Sequence, residues 1–134
     1  MDTDHASAML RFYDGFNRHD LDAISACLSE GFVSHFAGTE SRAAFLGFMQ
    51  GFFEAFPDLH VEVLDVVGES ERVAARILAT GTHQGEFNGI PATGRSLELE
   101  GSDFWRVDAD GNLCEHWGHA DNLSMMQQLG VIPA

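Results

Sequence analysis

The chain reads as a single α+β domain, helices in its first half and an antiparallel sheet in its second. Three observations carry that reading. Apolar residues recur at three- and four-residue spacing as far as Phe56, the period of helices packed on one side. From Leu59 onward they alternate, and strand-like runs follow one another with no helical pattern between them. At 134 residues, finally, 1–134 is long enough for one hydrophobic core and too short for two.

The elements follow in order. Ala6, Met9, Leu10, Tyr13 and Phe16 define an amphipathic first helix. "HDLDAISACLS" predicts a short second helix, with Asp20 as its N-cap and Leu21, Ile24 and Leu28 facing inward. "GFVSHFAG" is a short strand closed by Gly38, and "SRAAFLGFMQGFFEAF" a long helix stopped by Pro57. Phe45, Phe48, Met49, Phe52, Phe53 and Phe56 spread over a broad arc of that helix, so it must touch a sheet, a ligand cavity or both. Four strands are predicted next: "LHVEVLDVV", "RVAARILATGTH", "SLELEGSDFWRV" and "NLCEHWGHAD". Gly68-Glu69-Ser70, the loop "QGEFNGIPATGR" and "DADG" separate them, and "LSMMQQLG" closes the chain as a helix. The Gly-rich loop has the wrong spacing for phosphate and reads as a cavity rim.

Seven Lys+Arg against 21 Asp+Glu give a net charge of −14. That field repels nucleic acid and anionic membranes and favours a neutral or cationic ligand. Cys27 and Cys114 have no metal spacing and read as free thiols in a reducing compartment. The first residues lack the charge and apolar run of a signal peptide, and no run is long enough to span a membrane, so a cytoplasmic protein is expected. No HExxH, HxH, CxxC, GxSxG or P-loop appears, and no metal is expected.

Chemistry enters through the faces of the strands. In 97–107, Leu97, Leu99, Gly101, Asp103, Trp105 and Val107 share the apolar, covered face, which leaves one carboxylate, Asp103, among them. If "DADG" makes a hairpin with Val107 opposite Leu113, simple alternation sets Asp103 opposite Trp117 and Leu99 opposite Asp121. Trp117, His119 and Asp121 then join Asp103 and Trp105 on one concave surface; a slip of one residue would undo this. A carboxylate against aromatic walls is poorly hydrated and suited to acid–base work. Two readings are open to Asp121, which directly precedes the last helix: a helix cap or a proton-transfer group. His35 faces oppositely to Phe32, Ser34 and Phe36 and reads as a pocket base or a satisfied histidine.

Taken in order, "FPDLHVEV", "GTHQGEFNGIPATGR", "DADGNLCEHW" and "HADNLSMMQQLG" resemble the SnoaL-like polyketide cyclase family, within the superfamily of nuclear transport factor 2 and ketosteroid isomerase. The resemblance implies a cone-shaped α+β barrel, its curved antiparallel sheet and N-terminal helices enclosing an apolar pocket. It implies that Asp121 is the general acid/base of an intramolecular aldol closure needing neither metal nor cofactor. It also places Asp103 at the acid that ketosteroid isomerase keeps protonated, and His35 where that enzyme has its base. The expected catalytic set is therefore Asp121, His35 and Asp103, with Trp105, Trp117, His119, Tyr13 and Phe53 contacting an apolar polyketide-like substrate. A homodimer is expected through the outer sheet face. The competing expectation is a binding or accessory domain without turnover, or a hydrolase or hydroxylase on the same pocket.

Overall fold

The computed structural model describes residues 3–133. Helix α1 (Thr3–Asn17) buries Ala8, Met9, Phe12, Tyr13 and Phe16 along one stripe. Helix α2 (Leu21–Cys27) begins where the Asp20 carboxylate accepts the Ala23 N–H. It stops earlier than predicted, because Leu28 already pairs with Leu113 and opens strand β1 (Leu28–Ser34). Helix propensity yields there to a tertiary ladder. Helix α3 (Arg42–Ala55) is capped by Ser41, whose hydroxyl accepts the Ala44 N–H. Its Phe45 and Met49 are buried, while Phe48, Phe52 and Phe53 pack only partly covered against the core.

Strands β2 (His60–Glu69), β3 (Arg72–Thr82), β4 (Ser96–Val107) and β5 (Leu113–Ala120) follow, and helix α4 (Asn122–Gln128) ends the fold. The order across the curved sheet is β1-β5-β4-β3-β2. Two features differ from the expected barrel. The sheet is mixed, because β1 runs parallel to β5; a parallel neighbour needs a long connection, and everything between Ser34 and Leu113 supplies it. The sheet is also open, with β1 and β2 as its two edges.

The loop 84–95 lies over the end of α3. Gln84 and Gly85 donate their N–H groups to Ala55 O, and Phe87 stacks on Phe52. A Cβ at Gly85 would stand 2.4 Å from Glu54 O, so only glycine lets the two backbones meet.

The covered, concave face of the sheet is closed at both ends and partly open between. At one end Val73, Trp105, Val107 and Leu113 are buried under α1 and α3. At the other, Leu97 is buried and Phe56 and Leu59 press on Gly81. Between them Ile77, Ala79, Leu99, Gly101, Gly118 and Ala120 remain partly exposed.

Candidate active site

Asp103 stands on this face, opposite Ala75 of β3 and Gly118 of β5. The partner of Asp103 on β5 is not the predicted one. Val107 does pair with Leu113, but the ladder shifts at once, so that Arg106 pairs with Glu115 and Trp105 with His116. Cys114 is the extra residue of a β-bulge, its thiol turned to Arg106 O at 3.3 Å. One extra residue exchanges the faces of everything after it. His116, Gly118 and Ala120 therefore point inward.

Trp117 and His119 are thus displaced from the concave surface where simple alternation had put them. Trp117 pairs with Phe104 on the outer face, and exposed His119 pairs with Ser102. His35 is exposed on that side too, stacked on Trp117 with ring centroids 5.1 Å apart. Its Nε2 lies 2.7 Å from Glu115 Oε2, and Arg106 donates to the other Glu115 oxygen at 3.1 Å. Led by the hydrogen bond from His35, this pairing holds the Glu115 carboxyl below the usual carboxylate range.

Asp121 is exposed, and its Oδ1 accepts the Ser124 N–H at 3.0 Å. Of its two readings, this is the geometry of a cap. Trp105 is on the concave side but fully buried, packed 4.7 Å from Phe12 and 4.2 Å from His116 between ring centroids. Phe53 is half-buried, stacked on His19 at 4.2 Å. Asp103, Tyr13 and Trp105 are the predicted site residues that the fold brings together, and it adds Ser34 and His116 to them.

The five form one hydrogen-bonded chain. The Tyr13 hydroxyl donates to Asp103 Oδ2 at 2.5 Å, and Trp105 Nε1–H donates to the Tyr13 oxygen at 3.4 Å. On the other side, His116 Nε2 is 2.9 Å from Asp103 Oδ1 and its Nδ1 is 3.1 Å from Ser34 Oγ. Ser34 in turn accepts the Phe36 N–H. Burial, reinforced by the neighbouring Asp103 charge, pushes the Tyr13 phenol well above 10.0. So Asp103 does not lie bare against aromatic walls. It is a hydrogen-bonded carboxylate whose side chain keeps 16% of its surface open.

The local sequence explains why the network fits. A Cβ at Gly118 would come within 2.9 Å of His116 Cε1, 3.0 Å of Phe36 Cδ1 and 3.1 Å of Asp103 Oδ1. Glycine there leaves room for the Asp103–His116 pair. A signal for the missed residues was present in the sequence: unbroken alternation from Leu113 puts the charged Glu115 on the covered face, which a bulge avoids. A separate open groove of about 350 Å³ lies at the far end of β3 and β4, walled by Asp58, Thr82, Ser96 and Glu98 among others. Asp103 is not part of it.

An open curved sheet, covered by helices and carrying a hydrogen-bonded acid on its concave side, defines a class of small α+β proteins. This chain belongs to the SnoaL-like polyketide cyclase family, whose profile it matches over residues 7–129. It is similar to AclR, a hydroxylase candidate from Streptomyces galilaeus, at 34% identity and a TM-score of 0.89, over 98% of this chain and 84% of that one. It is also similar to IdmH, a polyketide cyclase candidate from Streptomyces antibioticus, at 34% identity and a TM-score of 0.83, over 94% and 98% of the two chains. A SnoaL-like polyketide cyclase candidate from Jannaschia sp. CCS1 shares 25% identity with a TM-score of 0.87, over 98% and 95%. No curated protein matches the chain.

Proposed function

We propose that the chain is an enzyme of acid–base chemistry, closing or isomerising a neutral, largely apolar carbonyl compound on the concave face. One observation carries the reading. Asp103 is a carboxylate tied to Tyr13 at one oxygen and to His116 at the other, with part of its side-chain surface still open on the concave face.

The chemistry asks little beyond that group. A proton on a carbon between two carbonyls is acidic enough for a carboxylate to remove. It moves to Asp103, and the C–H electron pair becomes the enolate. The enolate carbon then bonds to a second carbonyl of the same molecule, whose π electrons pass to oxygen. Asp103 returns its proton to that alkoxide, and the carboxylate is restored. Tyr13 and His116 hold the acid throughout, since both are buried.

Asp121, the position singled out by the family resemblance, lies three residues beyond Gly118, about 10 Å along an extended strand. We assign it the cap and give the proton to Asp103. The test compares purified wild type, Asp103→Asn and Asp121→Asn on ring closure of a synthetic polyketone. Asp103→Asn is expected to lower turnover by roughly two to four orders of magnitude, and Asp121→Asn to leave it near wild type. The reverse result would return the role to Asp121. Equal rates in all three would end the acid–base reading.

A further inference from the structure

The two arms that meet at Asp103 have a direction. Trp105 donates to Tyr13 and Tyr13 donates to Asp103. The Phe36 N–H takes one of the two lone pairs of the Ser34 oxygen, and the serine O–H stays free to donate. The acceptor within reach is His116 Nδ1. An imidazole that accepts at Nδ1 carries its proton on Nε2, and Nε2 faces Asp103 Oδ1. The opposite tautomer would aim a lone pair at a carboxylate that can only accept, and the close Nε2 contact excludes it. Every hydrogen in both arms therefore points toward Asp103.

Ser34 and His116 are 0% and 3% exposed, so neither meets a ligand. Asp103 keeps 16% of its side-chain surface open and is the member of this trio that a ligand can reach. We propose that Ser34 and His116 are positioning residues that present Asp103 as an acceptor only, so that the ligand group seated there is a hydrogen-bond donor. An enol or phenol O–H, or the acidic C–H of a 1,3-dicarbonyl, fits; a carbonyl oxygen facing the same atoms does not. This departs from the isomerase comparison, in which a protonated acid at the matching place donates to an enolate. It rests on the concave face being the binding site and names what binds there.

Two aromatic probes of nearly the same shape test it: 2-naphthol, which offers an O–H, and 2-methoxynaphthalene, which offers none. Fluorescence titration of the full chain is expected to show naphthol binding roughly tenfold tighter or more, the scale of a hydrogen bond to a charged group. Asp103→Asn should abolish the preference. His116→Gln, which keeps an N–H donor, should retain it, whereas His116→Leu and Ser34→Ala should reduce it. Alongside, a two-bond ¹H–¹⁵N correlation spectrum reads the ring nitrogen that carries the hydrogen. Nε2–H is expected in wild type and a mixture in Ser34→Ala. Equal affinities for the probes, no saturable binding of either, or Nδ1–H in the wild type would each overturn the inference. A clear naphthol preference in a protein that turns over no polyketone would leave it standing and remove only the enzymatic reading.

Discussion

Tyr13 is the single tyrosine of the chain, which makes its ionisation directly visible. Its phenol titrates higher in the fold than in the unfolded chain, chiefly because it is buried and also because it faces the Asp103 charge. The sign follows from linkage: the contribution is complete below pH 10 and is lost as the pH rises, because the unfolded chain releases that proton first. Tyrosinate absorbance should therefore appear together with alkaline unfolding, not ahead of it. In Tyr13→Phe the alkaline loss of stability should be shallower, while at neutral pH removing the Asp103 donor should cost about 1–3 kcal/mol by urea denaturation. Gly118→Ala should be destabilising by a similar ~1–3 kcal/mol, since its methyl meets Asp103, His116 and Phe36 together. Wild-type stability in that variant would mean that the network gives way easily. Of these groups, Asp103 was legible in the sequence as the one carboxylate on a covered strand face. For His116 the charged Glu115 beside it was the one local hint of a bulge, while its contact with Ser34 depends on pairings between β1, β5 and β4 that lie far apart in the chain.

The elements were easier to read than the site, and the reason is periodicity. Helices α1 and α3 carry repeated apolar spacing over three or more turns, and β2 to β5 alternate over long runs, so each announced itself. Leu28 shows the limit. It fits the inner stripe of α2, yet it is drawn into β1 by Leu113, a residue far along the chain. The bulge at Cys114 shows the same limit within a single strand. Turn chemistry fixed the pairing of Val107 with Leu113, but one extra residue reversed the faces beyond it. Helix α4 offers a direct test of what Asp121 does for its own element. Its carboxylate caps Ser124, and Gln128 exchanges hydrogen bonds with the Glu98 backbone at both N–H and C=O. Asp121→Ala should cost about 0.5–2 kcal/mol, whereas Asp121→Asn should cost little, since asparagine caps nearly as well. A large loss in the asparagine variant, measured by thermal or urea unfolding, would show that the charge itself has a further role.

The outer face of the sheet bears on how whole molecules meet. The strand pairings line up Val67, Ala74, Phe104 and Trp117 in one row across β2, β3, β4 and β5. Val67 is 68% exposed and Phe104 40%, so the row is an apolar stripe open to solvent. On one side of it Glu69, Arg72, Arg106 and Glu115 form a charged row, and on the other lie Asp65, Arg76, Ser102 and His119. Three of the chain's seven basic residues thus gather on a molecule whose net charge is −14. Elsewhere two copies repel one another; here arginines of one can face carboxylates of the other while the stripes cover each other, as a two-fold axis requires. The expected state is a homodimer through this face, seen as twice the chain mass by light scattering at micromolar concentration. Phe104→Glu should shift it to one chain mass without disturbing Asp103, which points the other way. Rising salt should weaken the dimer, because the flanking pairs are exposed and screened. A wild-type mass of one chain, or a dimer indifferent to Phe104→Glu, would refute this assembly.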